Sequence, residues 1–198
     1  MKKLAIFASG SGSNFEAIVK DIHLSDFPAE IAVLVCDKMN AKVIDRANQY
    51  GVPVMVFTAI DFASKEAYEK VILDRLRSEQ VEWIFLAGYM RLIGPTLLEA
   101  YEGRIVNIHP SLLPSFPGKD AIQQTLDSEV KVTGVTVHFV DEGMDTGPAI
   151  AQEATPRYPD DTHESLHLRI QQIEHTIYPK VIRELVTKED TKWVNVHS

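Results

Sequence analysis

Leu4-Ala5-Ile6-Phe7-Ala8-Ser9-Gly10-Ser11-Gly12-Ser13-Asn14 sets the fold class. Five apolar residues in succession read as a strand buried on both faces, and a glycine-serine turn follows them directly. The segment from Asn14 to about His23 then reads as a helix. The same change of period repeats downstream. Ile31–Cys36, Val54–Phe57, Trp83–Ala87 and Ile105–Ile108 are further short apolar runs. Between them, Ala41–Tyr50 is helical and stops at Gly51-Val52-Pro53, and Phe62–Ser78 repeats Tyr68, Ile72 and Leu76 on one face. Gly94-Pro95 opens another helix, with proline at the first position. Strand-helix alternation of this kind gives an α/β fold: a mainly parallel twisted sheet, Rossmann-like, with helices on both faces.

Past residue 130 the alternation stops. Gly134–Val140 and Pro148–Thr155 read as strands joined only by Asp141–Gly147, which predicts an antiparallel hairpin at one sheet edge. A final helix runs from about Thr162 to Val186 with Leu166, Ile170, Ile173 and Ile177 as its apolar stripe, and Asp161 or Thr162 as its cap. No repeat, linker or composition break divides the chain, so one domain over 1–198 is expected. Thr187–Ser198 carries no motif and reads as a loosely held terminus.

Composition narrows the function. A formal net charge of −8 argues against nucleic-acid binding, where a basic footprint is expected. The apolar run at the N-terminus is too short for a secretion signal, and no stretch is long enough to span a membrane. The one cysteine, Cys36, excludes an internal disulfide and reads as a buried core thiol in a reducing, cytoplasmic setting. Small-molecule substrates suit this profile, for a monomer or a homodimer.

In a parallel sheet, ligands bind beyond the carboxyl ends of the strands. Ser9–Asn14, Gly88–Ile93 and the stretch after Asn107 therefore matter most. The glycines of Ser9–Asn14 permit close backbone approach, and the N–H groups at a helix start attract anions. A dinucleotide fingerprint needs a third glycine where Phe15 stands, although Asp37 imitates its ribose acid. A P-loop needs Ser or Thr after Gly-Lys, and Gly118-Lys119 is followed by Asp120. A phosphate monoester fits better than either.

Asn107-Ile108-His109-Pro110-Ser111-Leu112-Leu113-Pro114 ends a strand with two polar residues spaced by two, which share a face. Pro110, Pro114 and Pro117 stiffen the loop beyond the strand. An asparagine amide can stabilise an oxyanion and a histidine can move a proton near neutral pH. The bland alternative is a hydrogen-bonded strand end. In the acidic turn, a carboxylate from Asp141, Glu142 or Asp145 can orient His109, and spacing does not choose among them. His138 alternates with apolar residues and either faces the site or packs. His163-Glu164-Ser165-Leu166-His167 matches the H-E-x-x-H zinc pattern, but it lies at a helix start and lacks the extended motif's third histidine, so it reads as a solvated face and no metal is expected.

With these segments quoted, the chain resembles the phosphoribosylglycinamide formyltransferase family of purine synthesis. The likeness runs from about Lys3 to Val186 and rests on Gly10–Asn14, Leu86–Arg91, Asn107–Pro114 with Phe116-Pro117-Gly118, Gly134–Asp145, and Glu174-His175 with Tyr178-Pro179. The resemblance implies 10-formyltetrahydrofolate as donor co-substrate and the amine of glycinamide ribonucleotide as acceptor. It implies Gly12, Ser13 and Asn14 at the acceptor phosphate, with Glu174 at its ribose or amine portion. Met90, Arg91, Leu92 and Ile93 would line the folate pocket, with Asn107 contributing and Asp141, Glu142, Gly143, Met144 and Asp145 closing it. Lys65 stands where some members carry an arginine near the folate tail. Asn107 and His109 would activate the formyl carbonyl, and the resemblance selects Asp145 as the carboxylate that sets the state of His109.

Two relatives of the reaction compete. A formyltetrahydrofolate hydrolase uses water as acceptor and typically has an added N-terminal domain, which the strand beginning at residue 3 leaves no room for. A methionyl-tRNA formyltransferase adds a tRNA-binding domain and a basic surface. A phosphosugar-binding module would keep Gly12–Asn14 without needing Asn107, His109 and Asp145 together.

Overall fold

The unbroken apolar run of the first strand conceals a two-sided alternation. In the computed structural model, which describes residues 1–25 and 27–187, β1 (Lys2–Ala8) sends Leu4, Ile6 and Ala8 into one core and Ala5 and Phe7 into another. Both cores exclude water at this strand, so neither face tolerates a polar residue. The terminus expected to be loosely held falls at 188–198, outside the described residues.

The order along the chain is β1, α1 (Ser13–Leu24), β2 (Ala29–Cys36), α2 (Lys42–Gln49), β3 (Val54–Val56), a 3₁₀ turn (Ala59–Asp61), α3 (Lys65–Ser78), β4 (Trp83–Leu86), α4 (Pro95–Ala100), β5 (Ile105–His109), α5 (Ala121–Asp127), β6 (Val132–Phe139), β7 (Ala149–Pro156) and α6 (His163–Thr187). Seven strands form one sheet in the order β3-β2-β1-β4-β5-β6-β7. The first five are parallel, and β6 and β7 continue the sheet antiparallel. Strand order reverses beside β1, between β2 and β4, which is where open sheets of this kind leave a crevice.

One core packs α1, α2 and α6 on the sheet; the other packs α3 and α4. The stripe of α6 is buried at Leu166, Ile170 and Ile177, while Ile173 is partly buried. The stripe extends further than the sequence suggests, through Tyr178, Val181, Ile182 and Leu185. Tyr178 is fully buried and its hydroxyl donates to the carbonyls of Leu86 (2.8 Å) and Val106 (3.1 Å). It thereby ties α6 to the two strands that carry the site. Pro179 sits inside this helix. Its missing N–H costs a helical bond, and the buried contacts on either side hold the helix through it.

Two local details differ from the sequence reading, and a third decides between alternatives it left open. The α3 helix starts at Lys65 rather than Phe62, because the Ser64 side chain accepts the Ala67 N–H and fixes the cap there. Phe62 instead packs edge-on against Phe57 and Tyr68. The α5 helix has no counterpart in the sequence reading: it has seven residues, too few to show a period, and is capped by Asp120 in the left-handed region. The α6 cap is Thr162, whose hydroxyl accepts the Ser165 N–H while the Ser165 hydroxyl accepts the Thr162 N–H. Cys36 is buried as expected, and burial pushes its thiol pKa up.

Candidate active site

The glycine-serine turn, the β4–α4 loop, the end of β5, the β6–β7 loop and α6 surround one cavity of about 750 Å³. Gly12 opens α1 at φ +76°, a backbone conformation that favours glycine. A Cβ there would stand 2.6 Å from Val43 Cγ2 and 2.9 Å from Val43 Cα, so α2 packs directly against the turn. Ser9 fastens the turn to the next loop: its N–H donates to the Gly88 carbonyl at 3.1 Å and its hydroxyl accepts the Met90 N–H at 2.9 Å. Ser13 receives a hydrogen bond from Gln171 Nε2 at 2.9 Å.

Asn14 and Glu174 form a buried pair behind the turn, with Asn14 Nδ2 donating to Glu174 Oε2 at 3.0 Å. Burial pushes the Glu174 carboxyl up to about 7, and the Asn14 bond only partly opposes this. Asn14 Oδ1 is buried without a hydrogen-bond partner, an acceptor placed beside a carboxyl that tends to keep its proton.

At β5 the two-residue spacing does what a strand requires. Asn107 and His109 share one face, and β6 sets His138 beside Asn107 and Thr136 beside His109. The threonine hydroxyl donates to the Ser111 carbonyl (2.7 Å) and accepts the Leu113 N–H (3.0 Å), pinning the proline-rich loop to the sheet. That loop brings the Phe116 carbonyl 2.8 Å from His109 Nε2, so this nitrogen carries a proton and donates. The other nitrogen, Nδ1, lies 3.4 Å from Asp145 Oδ2. An acceptor on each side suits the imidazolium. Burial outweighs this and pushes the His109 pKa below its ordinary value; the Phe116 carbonyl and Asp145 pull it up, and His138 pulls it down.

Geometry separates the three acidic candidates. Asp141 and Glu142 are exposed. Asp141 Oδ1 accepts the Gly143 N–H (3.0 Å) and the Thr146 hydroxyl (2.7 Å), which shapes the turn. Asp145 adopts φ +57° and turns inward, its side chain 13% exposed. Its Oδ2 accepts the Gly118 N–H at 2.7 Å, and its Oδ1 lies 3.4 Å from Asn107 Nδ2. Burial alone would raise the Asp145 carboxyl, but the His138 ring, the Gly118 N–H and His109 together hold it below its usual range.

His138 faces the site; it does not simply pack. Its Nδ1–H donates to the Phe139 carbonyl at 2.8 Å, and Nε2 lies 3.2 Å from Asn107 Nδ2, to which it offers a lone pair when the ring is neutral, and 3.6 Å from Asp145 Oδ1, to which it turns a proton when the ring is charged. The sequence signal for it is present in the strand alternation but does not choose between faces. Gln171 escapes sequence reasoning altogether, as a polar residue on a long helix with no motif around it.

Of the folate-side residues, Met90, Arg91, Leu92, Ile93, Asp141, Gly143, Met144 and Asp145 line the cavity together with Asn107. Glu142 and Lys65 lie outside the lining. The Lys65 side chain instead runs beside Gly94 and Glu69 at the start of α4. The two histidines of the H-E-x-x-H segment stack with ring centroids 6.2 Å apart, and His163 Nε2 lies 3.1 Å from Asp120 Oδ1. Among the described residues no group of three His, Cys, Asp or Glu side chains is arranged to hold a metal ion.

Residues 2–182 match the formyl transferase family model. The chain is 55% identical to a phosphoribosylglycinamide formyltransferase of Bacillus subtilis, over 94% of this chain and 95% of that one. The crystal structure of glycinamide ribonucleotide transformylase 1 from Geobacillus kaustophilus superposes with a TM-score of 0.91 at 60% identity, covering 93% of this chain and 98% of that one. That of phosphoribosylglycinamide formyltransferase from Bacillus halodurans gives 0.92 at 53% identity, covering 96% and 97%. The chain therefore belongs to the formyl transferase family, among the phosphoribosylglycinamide formyltransferases.

Proposed function

We propose that this protein transfers the formyl group of 10-formyltetrahydrofolate to the amine of glycinamide ribonucleotide, with Asn107, His109 and Asp145 as its catalytic set. One observation carries the assignment of roles: an amide, an imidazole and a carboxylate converge in a cavity that a glycine-serine turn at a helix start also lines.

The acceptor phosphate takes the Gly12, Ser13 and Asn14 end of the cavity, where backbone N–H groups favour an anion. Glu174 and Gln171 support that end through Asn14 and Ser13. The folate ring takes the side lined by Met90, Leu92, Ile93 and Met144. The amine attacks the formyl carbon, its lone pair forming the new C–N bond as the carbonyl oxygen becomes an oxyanion. Asn107 Nδ2 and the His109 imidazolium donate to that oxygen. Their 3.4 Å contacts to Asp145 are the longest of their polar contacts and the ones most readily exchanged. Charge developing on the oxygen raises the His109 pKa, opposing the lowering by burial, and Asp145 acts in the same direction. Collapse breaks the bond to the folate nitrogen, which leaves with its electron pair. It takes up the proton that the amine loses, relayed by water held at Asp145. The reading includes one formyltransferase domain over 1–198 and a cytoplasmic setting, as a monomer or homodimer; among the described residues no helix is long and apolar enough to cross a membrane.

The test supplies the formyl folate with and without glycinamide ribonucleotide and measures deformylated folate. Release that depends on the acceptor is expected. Release without acceptor would reassign the protein as a hydrolase, and no release under either condition would leave a binding module.

A further inference from the structure

The glycine-serine turn faces the cavity on one side and α2 on the other, and two successive carbonyls of the turn are tied to α2. The Gly10 carbonyl accepts the Val43 N–H at 3.1 Å, and the Ser11 carbonyl accepts Arg46 Nε at 2.8 Å. Val43 and Arg46 stand three apart on α2 and so share a face. Neither lines the cavity, whereas Gly10 through Asn14 all do. A trans peptide sets its C=O and the following N–H on opposite sides, and both of these peptides are trans. The Ser11 and Gly12 N–H groups therefore turn away from α2, toward the cavity. Among the described residues no N–H from Ser11 to Asn14 donates to a backbone carbonyl, and no side chain caps the start of α1. Asn14, 9% exposed and lining the same cavity, keeps Oδ1 without a protein partner. This side of the cavity thus holds polar groups that the fold itself does not satisfy.

Successive N–H groups turned one way make an anion-binding nest. A glycine stands on each side of Ser11, so the peptide planes there can flip at little steric cost. A flipped Ser11–Gly12 peptide would set a carbonyl oxygen, not a donor, against a phosphate. The Gly10 carbonyl is held by backbone, but the Ser11 carbonyl is held by a side chain. That side chain is braced in turn. Arg46 Nη1 pairs with Glu16 in the first turns of α1, and Glu16 also takes Lys20 Nζ at 2.7 Å. Arg46 therefore spans α2, the turn and α1 while staying out of the cavity.

We propose that Arg46 is a positioning residue that holds the Ser11–Gly12 peptide with its N–H toward the acceptor phosphate, acting through its hydrogen bond to the Ser11 carbonyl and not through its charge. This rests on the placement of the acceptor phosphate at Gly12–Asn14.

Two neutral variants separate the bond from the charge. Glutamine carries its amide nitrogen at the same reach from the backbone as arginine carries Nε, and methionine has similar length with no donor. Both leave Glu16 without its Arg46 partner, so that loss cancels between them. Each is assayed at saturating formyl donor with glycinamide ribonucleotide and with glycinamide riboside, which lacks the phosphate. In Arg46→Met the KM for the ribonucleotide is expected to rise about tenfold with kcat kept, the size of one hydrogen bond. For the riboside, kcat/KM should move less than about twofold, because no phosphate reports on the peptide. Arg46→Gln should hold the ribonucleotide at least about threefold better than Arg46→Met. Should Arg46→Met fail to fold in a thermal melt, Arg46→Ala takes its place as the donor-free variant.

Equal losses in Arg46→Gln and Arg46→Met would mean that the charge alone acts, and would overturn the proposal. Equal losses on ribonucleotide and riboside would make Arg46 a structural brace only, and an unchanged ribonucleotide KM in Arg46→Met would give it no role; either overturns the proposal. If the wild-type protein uses the riboside as well as the ribonucleotide, the phosphate placement itself fails, an outcome read from the wild type before any variant is compared.

Discussion

Replacing Glu174 by glutamine should make the protein's stability respond less steeply to pH, by an amount the structure specifies. The carboxyl is 9% exposed, accepts one hydrogen bond from Asn14, and is pushed from an ordinary 4.5 up to about 7. The folded chain therefore holds this proton more tightly than the unfolded chain does. The stability this confers is fully present below pH 4.5 and declines above it. It is lost as pH rises through about 7. At about 1.4 kcal/mol per pH unit, the loss amounts to about 3 kcal/mol. In Glu174→Gln the introduced amide does not titrate, and it can donate to Asn14 Oδ1, the buried acceptor that lacks a partner. Urea unfolding of both proteins at pH 4.5 and pH 8 provides the comparison, because groups common to both cancel in the difference. The variant should gain about 3 kcal/mol relative to wild type between the two pH values. A difference that stays constant within about 0.5 kcal/mol would show that Glu174 is not held protonated by burial, and would refute the reasoning.

The same contacts make four more perturbations informative. Gly12→Ala places a side chain at φ +76° and against Val43, so it should lower stability by about 2 kcal/mol or more and raise the KM for glycinamide ribonucleotide, checked by urea melts and steady-state kinetics. Tyr178→Phe removes the buried hydroxyl's hydrogen bonds to the carbonyls of Leu86 and Val106 and should cost about 1–3 kcal/mol in the same melts. His138→Ala frees the Asn107 amide and should reduce kcat about tenfold or more with little change in donor KM. Asp145→Asn removes the charge that favours the imidazolium, so His109 should titrate at lower pH than in wild type when followed by NMR.

Much of this molecule is legible in its sequence, for definite reasons. The apolar runs at Leu4–Ala8 and Ile31–Cys36 read as strands because continuous hydrophobicity that short, bounded by polar residues, suits a sheet covered on both sides better than a helix. Asn107 and His109 are readable as a pair because strand geometry forces residues two apart onto one face. The features that escape depend on contacts distant in sequence. His138 joins the site through its place opposite Asn107 in an antiparallel pairing, and no local pattern encodes that register. Asp145 can be told from Asp141 and Glu142 by family resemblance but not by chemistry, because all three occupy one turn; the fold separates them by turning Asp145 inward. Arg91 is visible in the loop after β4, yet its partner Asp37 lies 54 positions away and looks like an imitation of a ribose-binding acid. Lys65, which the resemblance sets near the folate tail, has its side chain beside Gly94 at the start of α4, a contact no local pattern announces.

The most direct test of the central claim is the turnover number for acceptor-dependent formyl transfer in Asn107→Ala and His109→Ala, measured at saturating substrates beside a thermal melt. Loss of an oxyanion donor predicts a fall in kcat of about 10²–10³ in either variant with the fold intact. Near-normal turnover in either variant would contradict the assignment of Asn107 and His109 as the groups that activate the formyl carbonyl.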